Sequence, residues 1–295
     1  MPQSIINYLK DNKYYDIEHI SKDICKQVYT AWKDNKLYAI KYSNSEYIQK
    51  LRNAGVLSGN EIKFNMLNSN NDINLIYVNN IVNNFDDNGG VLIIYNYIEN
   101  TISLGELTKI CDIFTFDKNI LNSKNMSYFL DMCSKIFNTI NQLHSNGIIH
   151  MDITIDNILV VPNFNNPLEN QYYIIDFGLN CLLKNECRFI NSHLPPIFNT
   201  PEAIDKFPEW ISPKLDIFSM GIVLLECLCN IRFDIIRTLN KHKYNEIFQL
   251  YPFIKLMIDN HLDNIIDSIS ELLPIISKQQ SLVEFTDIFT SPIPC

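Results

Sequence analysis

The sequence lacks the features that would carry a protein into or across a membrane. Its longest apolar stretch, around residues 220–229, is interrupted by Glu226 and is too short to span a bilayer. The first eleven residues contain no basic segment followed by a long apolar core, so no signal peptide is predicted. The eight cysteines include no C-x-x-C pair, and without a secretion signal they are expected to be reduced and mostly buried. These absences predict a cytoplasmic protein without membrane insertion.

The chain also lacks an excess of positive charge. It has 24 lysines and arginines against 33 aspartates and glutamates, which gives a net charge of −9 at pH 7. This balance argues against a general binder of nucleic acid or acidic membranes, so no nucleic-acid partner is expected. Because 46% of the residues are hydrophobic and 19% are charged, the chain is expected to be globular. Its 295 residues can form one two-lobed unit or two small domains.

Chemically active residues are concentrated between two apolar runs in residues 148–160. These runs predict short buried strands, and the loop between them carries Asp152 and Asn157. Another apolar run, in residues 172–179, reaches Asp176 with a glycine two residues later. Amide and carboxylate oxygens at the ends of neighbouring strands suit magnesium, so Asn157 and Asp176 are candidate ligands and Asp152 is a candidate base. The alternative is that two polar turns simply cap core strands.

The spacing H-x-D-x-x-x-x-N, followed by D-F-G, resembles the catalytic and magnesium-binding loops of eukaryotic protein kinases. Alone, this pattern also fits aminoglycoside-type and other kinase-like phosphotransferases. Further along, T-P-E at 200–202 and the apolar segment 213–229 resemble protein-kinase elements, and the second of them separates protein kinases from small-molecule phosphotransferases. That segment is predicted to be a helix buried on all sides. In the family, the residue at Asp216 caps backbone amides of the catalytic loop.

The resemblance also implies an ATP site in the first third of the chain. The lysine of A-I-K, Lys41, would hold the α- and β-phosphates of ATP, with Val28 and Ala39 beside the nucleotide. Such a lysine needs a carboxylate partner, and the family's spacing favours Glu61, although Glu61 also fits a capping box at a helix start. Glu46 is the other candidate, but it is expected to lie too near the strand to sit on a returning helix.

The strand predicted at residues 91–98 resembles the hinge of the family. There Tyr95 would guard the rear of the pocket, while the carbonyl of Asn96 and the amide of Ile98 would meet adenine. The alternative is an ordinary core strand, because backbone contacts cannot be deduced from side chains.

The segment that corresponds to the family's glycine-rich loop contains no glycine. Its three glycine positions are occupied by Ser21, Asp23 and Lys26, which would keep backbone amides further from the phosphates. The side chain of Lys26 would offset this loss by reaching the phosphates itself. Met151 replaces an arginine that in many relatives pairs with a phosphate on the activation segment, and Thr154 replaces a lysine usual in serine/threonine kinases.

Periodicity and turn residues predict the remaining elements. They are a hairpin over 17–42 with a polar turn at 33–36, a strand at 75–78, a helix over 126–146 that stops at Gly147, and later helices broken at Pro252 and Pro274.

The sequence therefore predicts an α+β protein with a two-lobed protein-kinase-like fold. An N-terminal arm or short helix over 1–16 would precede a β-rich N-lobe over 17–97 and a mainly helical C-lobe over 98–295, the kinase domain spanning about 17–290. The resemblance implies ATP- and Mg²⁺-dependent phosphorylation of serine or threonine in an unidentified protein substrate. A pseudokinase that binds and scaffolds is the alternative, followed by a small-molecule phosphotransferase. The bias towards Asn and Ile resembles compact kinases of large DNA viruses, poxviruses among them, which would place the protein in the host cytoplasm.

Overall fold

The structure is a computed structural model of the chain. It describes residues 3–20, 26–53, 78–82, 85, 89–111, 123–179, 181–182, 212–229, 247–259 and 267–290. These residues fall into two compact units, one ending at Glu99 and the other beginning at Asn100. The division lies two residues beyond the boundary predicted from the sequence. The first unit is built around a β-sheet and the second is mainly helical, which is the α+β composition that the sequence predicts.

The first unit contains a five-stranded sheet in the order β1-β2-β3-β5-β4, with antiparallel pairing throughout. Its elements are α1 (Gln3–Asp11), β1 (Tyr15–His19), β2 (Lys26–Lys33), β3 (Lys36–Ser43), α2 (Ser45–Asn53), β4 (Val78–Val82) and β5 (Val91–Asn96). Of the strand predicted at 75–78, residue 78 lies within the described part of the chain. It begins β4, which continues to Val82. The predicted N-terminal arm consists of α1 and the start of β1, and it belongs to the same unit as the sheet.

Strands β2 and β3 form the predicted hairpin, with an unbroken register along both strands. The turn residues Asp34 and Asn35 have φ values of 50° and 58°, in the left-handed region that Asn and Asp tolerate better than most residues. Two successive positive φ values match the turn to the right-handed twist of the strands. The polar turn at 33–36 is therefore confirmed, but the hairpin predicted over 17–42 begins at Lys26, because residues 17–19 belong to the separate strand β1, which pairs with β2.

The second unit combines short strands with longer helices. Strands β6 (Ile102–Ser103), β8 (Ile158–Val161) and β9 (Gln171–Ile174) form one antiparallel sheet, and β7 (Ile148–Ile149) pairs with β10 (Cys181–Leu182). The helices are α3 (Leu104–Ile110), α4 (Ser123–Ser145), α5 (Lys214–Cys229), α6 (Pro252–Asp259) and α7 (Asp267–Thr290). Strands β7 and β8 confirm the two strands predicted around the polar loop. Helix α4 confirms the helix predicted at 126–146. The helix ends before Gly147, as predicted, and Gly147 has a φ of 73°.

Helix α4 packs against α7, and α5 packs against α6. Fourteen of the sixteen residues of α5 are buried, which confirms the prediction of a helix buried on all sides. Gly221 lies where α5 meets α6, because a Cβ at this position would approach Ile258 at 3.0 Å and Met257 at 3.2 Å. A larger residue there would force the two helices apart.

Pro274 lies inside α7 and does not interrupt it, so the break predicted there is wrong. Proline removes one intrahelical N–H and crowds the carbonyl four residues earlier, here that of Ser270. Both residues are exposed, so water can hydrogen-bond the freed carbonyl on that side of the helix. Pro252 instead begins α6, where its missing N–H costs no intrahelical bond. None of the helices in the described ranges is long and apolar enough to cross a membrane.

Candidate active site

The loop between β7 and β8 is held in place by the buried carboxylate of Asp216, in the first turn of α5. Oδ2 accepts a hydrogen bond from the His150 amide, and Oδ1 accepts one from the Met151 amide, each at 2.8 Å. Nε2 of His144, in the last turn of α4, lies 2.8 Å from Oδ2 and carries the hydrogen, because a carboxylate only accepts. Asp216 and His144 are both fully buried. The prediction that Asp216 caps amides of this loop is confirmed.

His150 connects this loop to the segment that follows β9. Its Nε2 lies 3.0 Å from the carbonyl oxygen of Ile175, and its Nδ1 accepts a hydrogen bond from the Asp152 amide at 3.2 Å. Both contacts fit a neutral ring with its hydrogen on Nε2. The ring also packs edge-on against Phe177, with 4.6 Å between the ring centroids. Because His150 is fully buried, it fixes the backbone from which the Asp152 side chain projects.

Two residues of the site have a left-handed backbone conformation. Met151 has a φ of 66° and Asp176 a φ of 63°, and such conformations cost non-glycine residues about 1–2 kcal/mol each. The Met151 amide is held by Asp216, and its side chain is fully buried, so the surrounding packing supports the strained backbone. This chain therefore places a buried apolar side chain where many members of the family have an arginine.

Asp152 and Asn157, predicted as base and metal ligand, are directly hydrogen-bonded. Nδ2 of Asn157 donates to the carbonyl oxygen of Asp152 at 2.8 Å and to its Oδ2 at 3.1 Å. The backbone N–H of Asn157 donates to the carbonyl oxygen of Thr154 at 3.0 Å and to the Thr154 hydroxyl oxygen at 3.2 Å. Because Nδ2 is directed at Asp152, the amide oxygen Oδ1 of Asn157 faces the other way. The loop thus holds the side chains of Asp152 and Asn157 together and leaves Oδ1 of Asn157 directed away from Asp152.

Asp176 is connected to the same loop through the backbone. The Ile175 amide donates to the carbonyl oxygen of Asn157 at 3.0 Å, and Oδ1 of Asp176 accepts from the Gly178 amide at 3.4 Å. An amide oxygen and a carboxylate on adjacent loops suit Mg²⁺, which takes its other ligands from water and phosphate. By this donor chemistry, Asn157 and Asp176 fit a magnesium ion that binds together with a nucleotide. In the part of the chain that the structure describes, no group of three or more His, Cys, Asp or Glu side chains could hold a metal.

Gly105, in the first turn of α3, is a residue of this site that the sequence reasoning missed. Its amide donates to the carbonyl oxygen of Ile155 at 3.1 Å, and a Cβ at this position would lie 2.7 Å from Oδ1 of Asp156. A glycine therefore lets α3 closely approach the loop between β7 and β8, at Ile155 and Asp156. The available sequence signal was a glycine inside a helical pattern, between Ser103 and Glu106, the two residues of a capping box.

Three of the predicted ATP-binding residues share one face of the first unit's sheet. Val28 lies opposite Lys41 across the β2–β3 pairing, and Ala39 shares their face because side chains alternate along a strand. Lys41 is only 8% exposed, which is unusual for a lysine and does not fit a solvated strand end. Asn96, the last residue of β5, is exposed, and Ile98 is half-buried.

Four of the predicted site residues lie wholly or partly outside the described part of the chain. Glu61, Ser21 and Asp23 lie outside the described residues. Lys26 is the first residue of β2, and only its backbone is described.

Glu46 lies in the first turn of α2, directly after β3. Its nearness to the strand therefore does not keep it off a helix, while the expectation that it is too near to sit on a returning helix stays a prediction. Oδ1 of Asn44 accepts a hydrogen bond from the Tyr47 amide at 2.8 Å, and this N-cap starts the helix directly after β3. Glu46 and Glu61 therefore both stay candidates for the partner of Lys41.

Comparison with known proteins identifies the family. A family model described as the protein kinase domain matches residues 23–283. A protein of Acanthamoeba polyphaga mimivirus, bearing the name of a serine/threonine-protein kinase, is 30% identical over 67% of this chain and 63% of its own length. The serine/threonine-protein kinase pakA of Talaromyces marneffei is 26% identical over 73% of this chain and 30% of its own length.

The crystal structure of the BubR1 kinase domain has the same fold. Its TM-score is 0.59 at 14% identity, over 96% of this chain and 93% of that one. The chain spans less than two thirds of the length of the two relatives above. With its sheet unit, its helical unit and the match over 23–283, the chain belongs to the protein kinase family.

Proposed function

We propose that this chain is a kinase that uses ATP and Mg²⁺ to phosphorylate serine or threonine in a protein substrate. The observation that carries the proposal is the pairing of Asp152 with Asn157, whose Nδ2 donates to both the carbonyl oxygen and Oδ2 of Asp152. This pairing fixes a carboxylate beside an oxygen suited to a cation, a combination that phosphoryl transfer uses. The names of relatives as serine/threonine kinases support the choice of hydroxyl.

In the proposed reaction, Asp152 orients the substrate hydroxyl and accepts its proton while the oxygen attacks the γ-phosphorus of ATP. The bond from the γ-phosphorus to the bridging oxygen breaks, and ADP leaves. Lys41 would hold the α- and β-phosphates, oriented by Glu61 or Glu46. Most of the acceleration in such a reaction comes from positioning and charge stabilisation.

Asn157 and Asp176 would hold the magnesium ion, which neutralises phosphate charge when bound. Asn157 can use Oδ1 for this purpose while its Nδ2 keeps Asp152 in position. The backbone hydrogen bond from the Ile175 N–H to the Asn157 carbonyl oxygen would keep the two proposed ligands, Asn157 and Asp176, close together.

The remaining nucleotide contacts are proposed from the first unit. Val28 and Ala39 would pack against the nucleotide, and their shared face with Lys41 supports this role. The Asn96 carbonyl and the Ile98 amide would bind adenine, and the Lys26 side chain would reach the phosphates.

A scaffold protein that does not transfer phosphate is the second candidate. Met151 favours it, because its buried side chain provides no charge, as does the absence of glycine at Ser21, Asp23 and Lys26. Neither feature removes the proposed base or metal ligands. We also propose a cytoplasmic location, in the host cell if the protein is viral, an origin that the similarity to a mimivirus protein supports.

Incubation with Mg²⁺ and labelled ATP on generic protein substrates tests the proposal. Wild type should transfer label, and Asp152→Asn should lose about 100-fold or more of the rate while still binding ATP. Asp11→Asn, the same change at an exposed residue of α1, should match wild type. Equal transfer by wild type and Asp152→Asn, or none by either, would favour the scaffold. Label found only on small hydroxylated compounds would indicate a small-molecule phosphotransferase.

A further inference from the structure

Helix α1 lies outside the residues matched by the family model, yet it is part of the core of the first unit. Ile5 and Leu9, one helical turn apart, are both fully buried, and Tyr8 packs against the same cluster. This spacing gives the helix one apolar face. The exposed side carries Ser4, Asn7 and Lys10.

The apolar face of α1 covers one face of the sheet. We define the sheet core as the cluster formed by Ile5, Leu9, Tyr14, Tyr29, Ala31, Ile40, Tyr42, Leu92 and Ile94. Its members on β2, β3 and β5 occupy alternate positions, as expected for residues on one face of a sheet. Buried residues of α1 and of β2, β3 and β5, the three central strands of the five, therefore belong to one hydrophobic cluster.

A C-terminal cap joins α1 tightly to the sheet. The Tyr14 amide donates to the Leu9 carbonyl oxygen at 2.8 Å, the Lys13 amide donates to that of Lys10 at 2.9 Å, and Lys13 has a φ of 65°. This is a Schellman motif with Lys13 in the left-handed position, and its following apolar residue is Tyr14. The Tyr14 ring packs edge-on against Tyr38 of β3 at 5.7 Å between the ring centroids. The chain therefore passes from α1 into β1 with little freedom.

Aromatic contacts add a second connection between α1 and β3. The Phe85 ring lies between Tyr8 of α1 and Tyr42 of β3, with centroid distances of 5.2 Å and 5.9 Å. The Phe85 amide donates to the Gly90 carbonyl oxygen at 2.7 Å, just before β5. Edge-to-face pairs of this kind stabilise beyond the area they bury.

Lys41 lies in sequence between two residues of the sheet core that α1 completes. Ile40 and Tyr42 belong to the sheet core, while Lys41, at the intervening position of β3, faces the opposite side with Val28. A shift of β3 within the sheet core would therefore move Lys41 by a similar amount. Misplacement of a positioning group by about 1 Å can cost as much as 100-fold in rate.

We propose that α1 is a positioning element for Lys41. Docking of Ile5 and Leu9 on the sheet core fixes β3, and through β3 it sets the affinity for ATP. The ATP part of this inference rests on the proposed function; the fixing of β3 by α1 does not.

The test uses the full-length chain with Leu9→Ala and the milder Leu9→Val, which stays usable if the first variant folds poorly. Ile276→Ala is the matched control, because Ile276 is equally buried in α7 of the other unit. We expect KM for ATP to rise about tenfold in Leu9→Ala, less in Leu9→Val, with kcat within about twofold of wild type. Leu9→Met, which conserves volume, should restore wild-type behaviour.

Amide hydrogen exchange of β3 gives a readout that needs no ATP. Exchange at residues 38–42 should accelerate in Leu9→Ala and stay near wild type in Ile276→Ala, although both variants lose stability. Equal effects of the two substitutions on β3 exchange would overturn the proposal. If wild type neither binds nor uses ATP, the proposed function fails, and β3 exchange alone decides whether α1 positions β3. If ATP is used but KM rises equally in both variants, α1 acts only on stability and the positioning role is refuted.

Discussion

Replacing Asp216 should destabilise the protein more than any change at an exposed acidic residue. Its carboxylate accepts hydrogen bonds from His144 Nε2 and from the amides of His150 and Met151, each at 2.8 Å and within buried surroundings. Asp216→Ala would leave all three donors without this acceptor. An unsatisfied buried donor costs about 1–3 kcal/mol. Allowing for partial relaxation, we expect Asp216→Ala to lower the free energy of unfolding by about 3–6 kcal/mol.

Asp216→Asn separates the loss of hydrogen bonds from the loss of volume. An asparagine keeps the shape, but it offers one accepting oxygen where the aspartate offers two. It can serve His144 and His150 together while its NH₂ group faces the Met151 amide. We therefore expect a smaller loss, about 1–3 kcal/mol.

Thermal unfolding measures both losses. A change of 1 kcal/mol shifts Tm by about 2–4 °C in domains of roughly 150–250 residues, so a loss of about 3–6 kcal/mol in Asp216→Ala should lower Tm by about 6–24 °C. Glu271→Ala, at an exposed position of α7, is the control and should shift Tm little. The cost of His144→Ala should also shrink in the Asp216→Ala background, since the two residues share a bond. If Asp216→Ala lowers Tm no more than Glu271→Ala does, the three hydrogen bonds do not stabilise the loop as argued.

Three further predictions concern separate parts of the chain. Asp176→Ala should weaken ATP binding measured with Mg²⁺ by about tenfold or more and leave Mg²⁺-free binding unchanged; equal loss in both conditions would contradict a metal role. Pro274→Ala should raise the free energy of unfolding by about 1 kcal/mol in denaturant titration, because it restores a helical N–H but frees the unfolded chain. Burial raises the pKa of the Cys133 thiol, so thiol-reactive reagents at pH 8 should label half-buried Cys111 before Cys133, and Cys133 only after unfolding, as mass spectrometry can map.

Local sequence patterns determined the elements around the candidate site. Apolar runs on both sides of a polar loop predicted β7 and β8, and a continuous apolar stretch predicted the buried helix α5. The spacing of His150, Asp152 and Asn157 predicted a shared loop, which the hydrogen bonds of that loop confirm. These features follow from neighbours in sequence, where the period of burial and the choice of turn residues act directly.

Tertiary structure decided the features that depend on distant residues. Periodicity could place α1 only as an arm or a short helix, because its burial depends on strands that come later in the chain. The same holds for Pro274, which is tolerated because its side of α7 faces solvent, and for Gly105, whose need for a small residue comes from the loop at Ile155 and Asp156.

The clearest case is the loop conformation at Met151. Nothing in a local pattern indicates that a methionine will adopt a positive φ with a buried side chain. The carboxylate that holds its amide is 65 residues away in sequence, and His144 reaches the same carboxylate from another helix. The sequence determined which groups are available for catalysis. Only packing between distant segments, which supplies the energy to hold a strained backbone, decided where those groups lie.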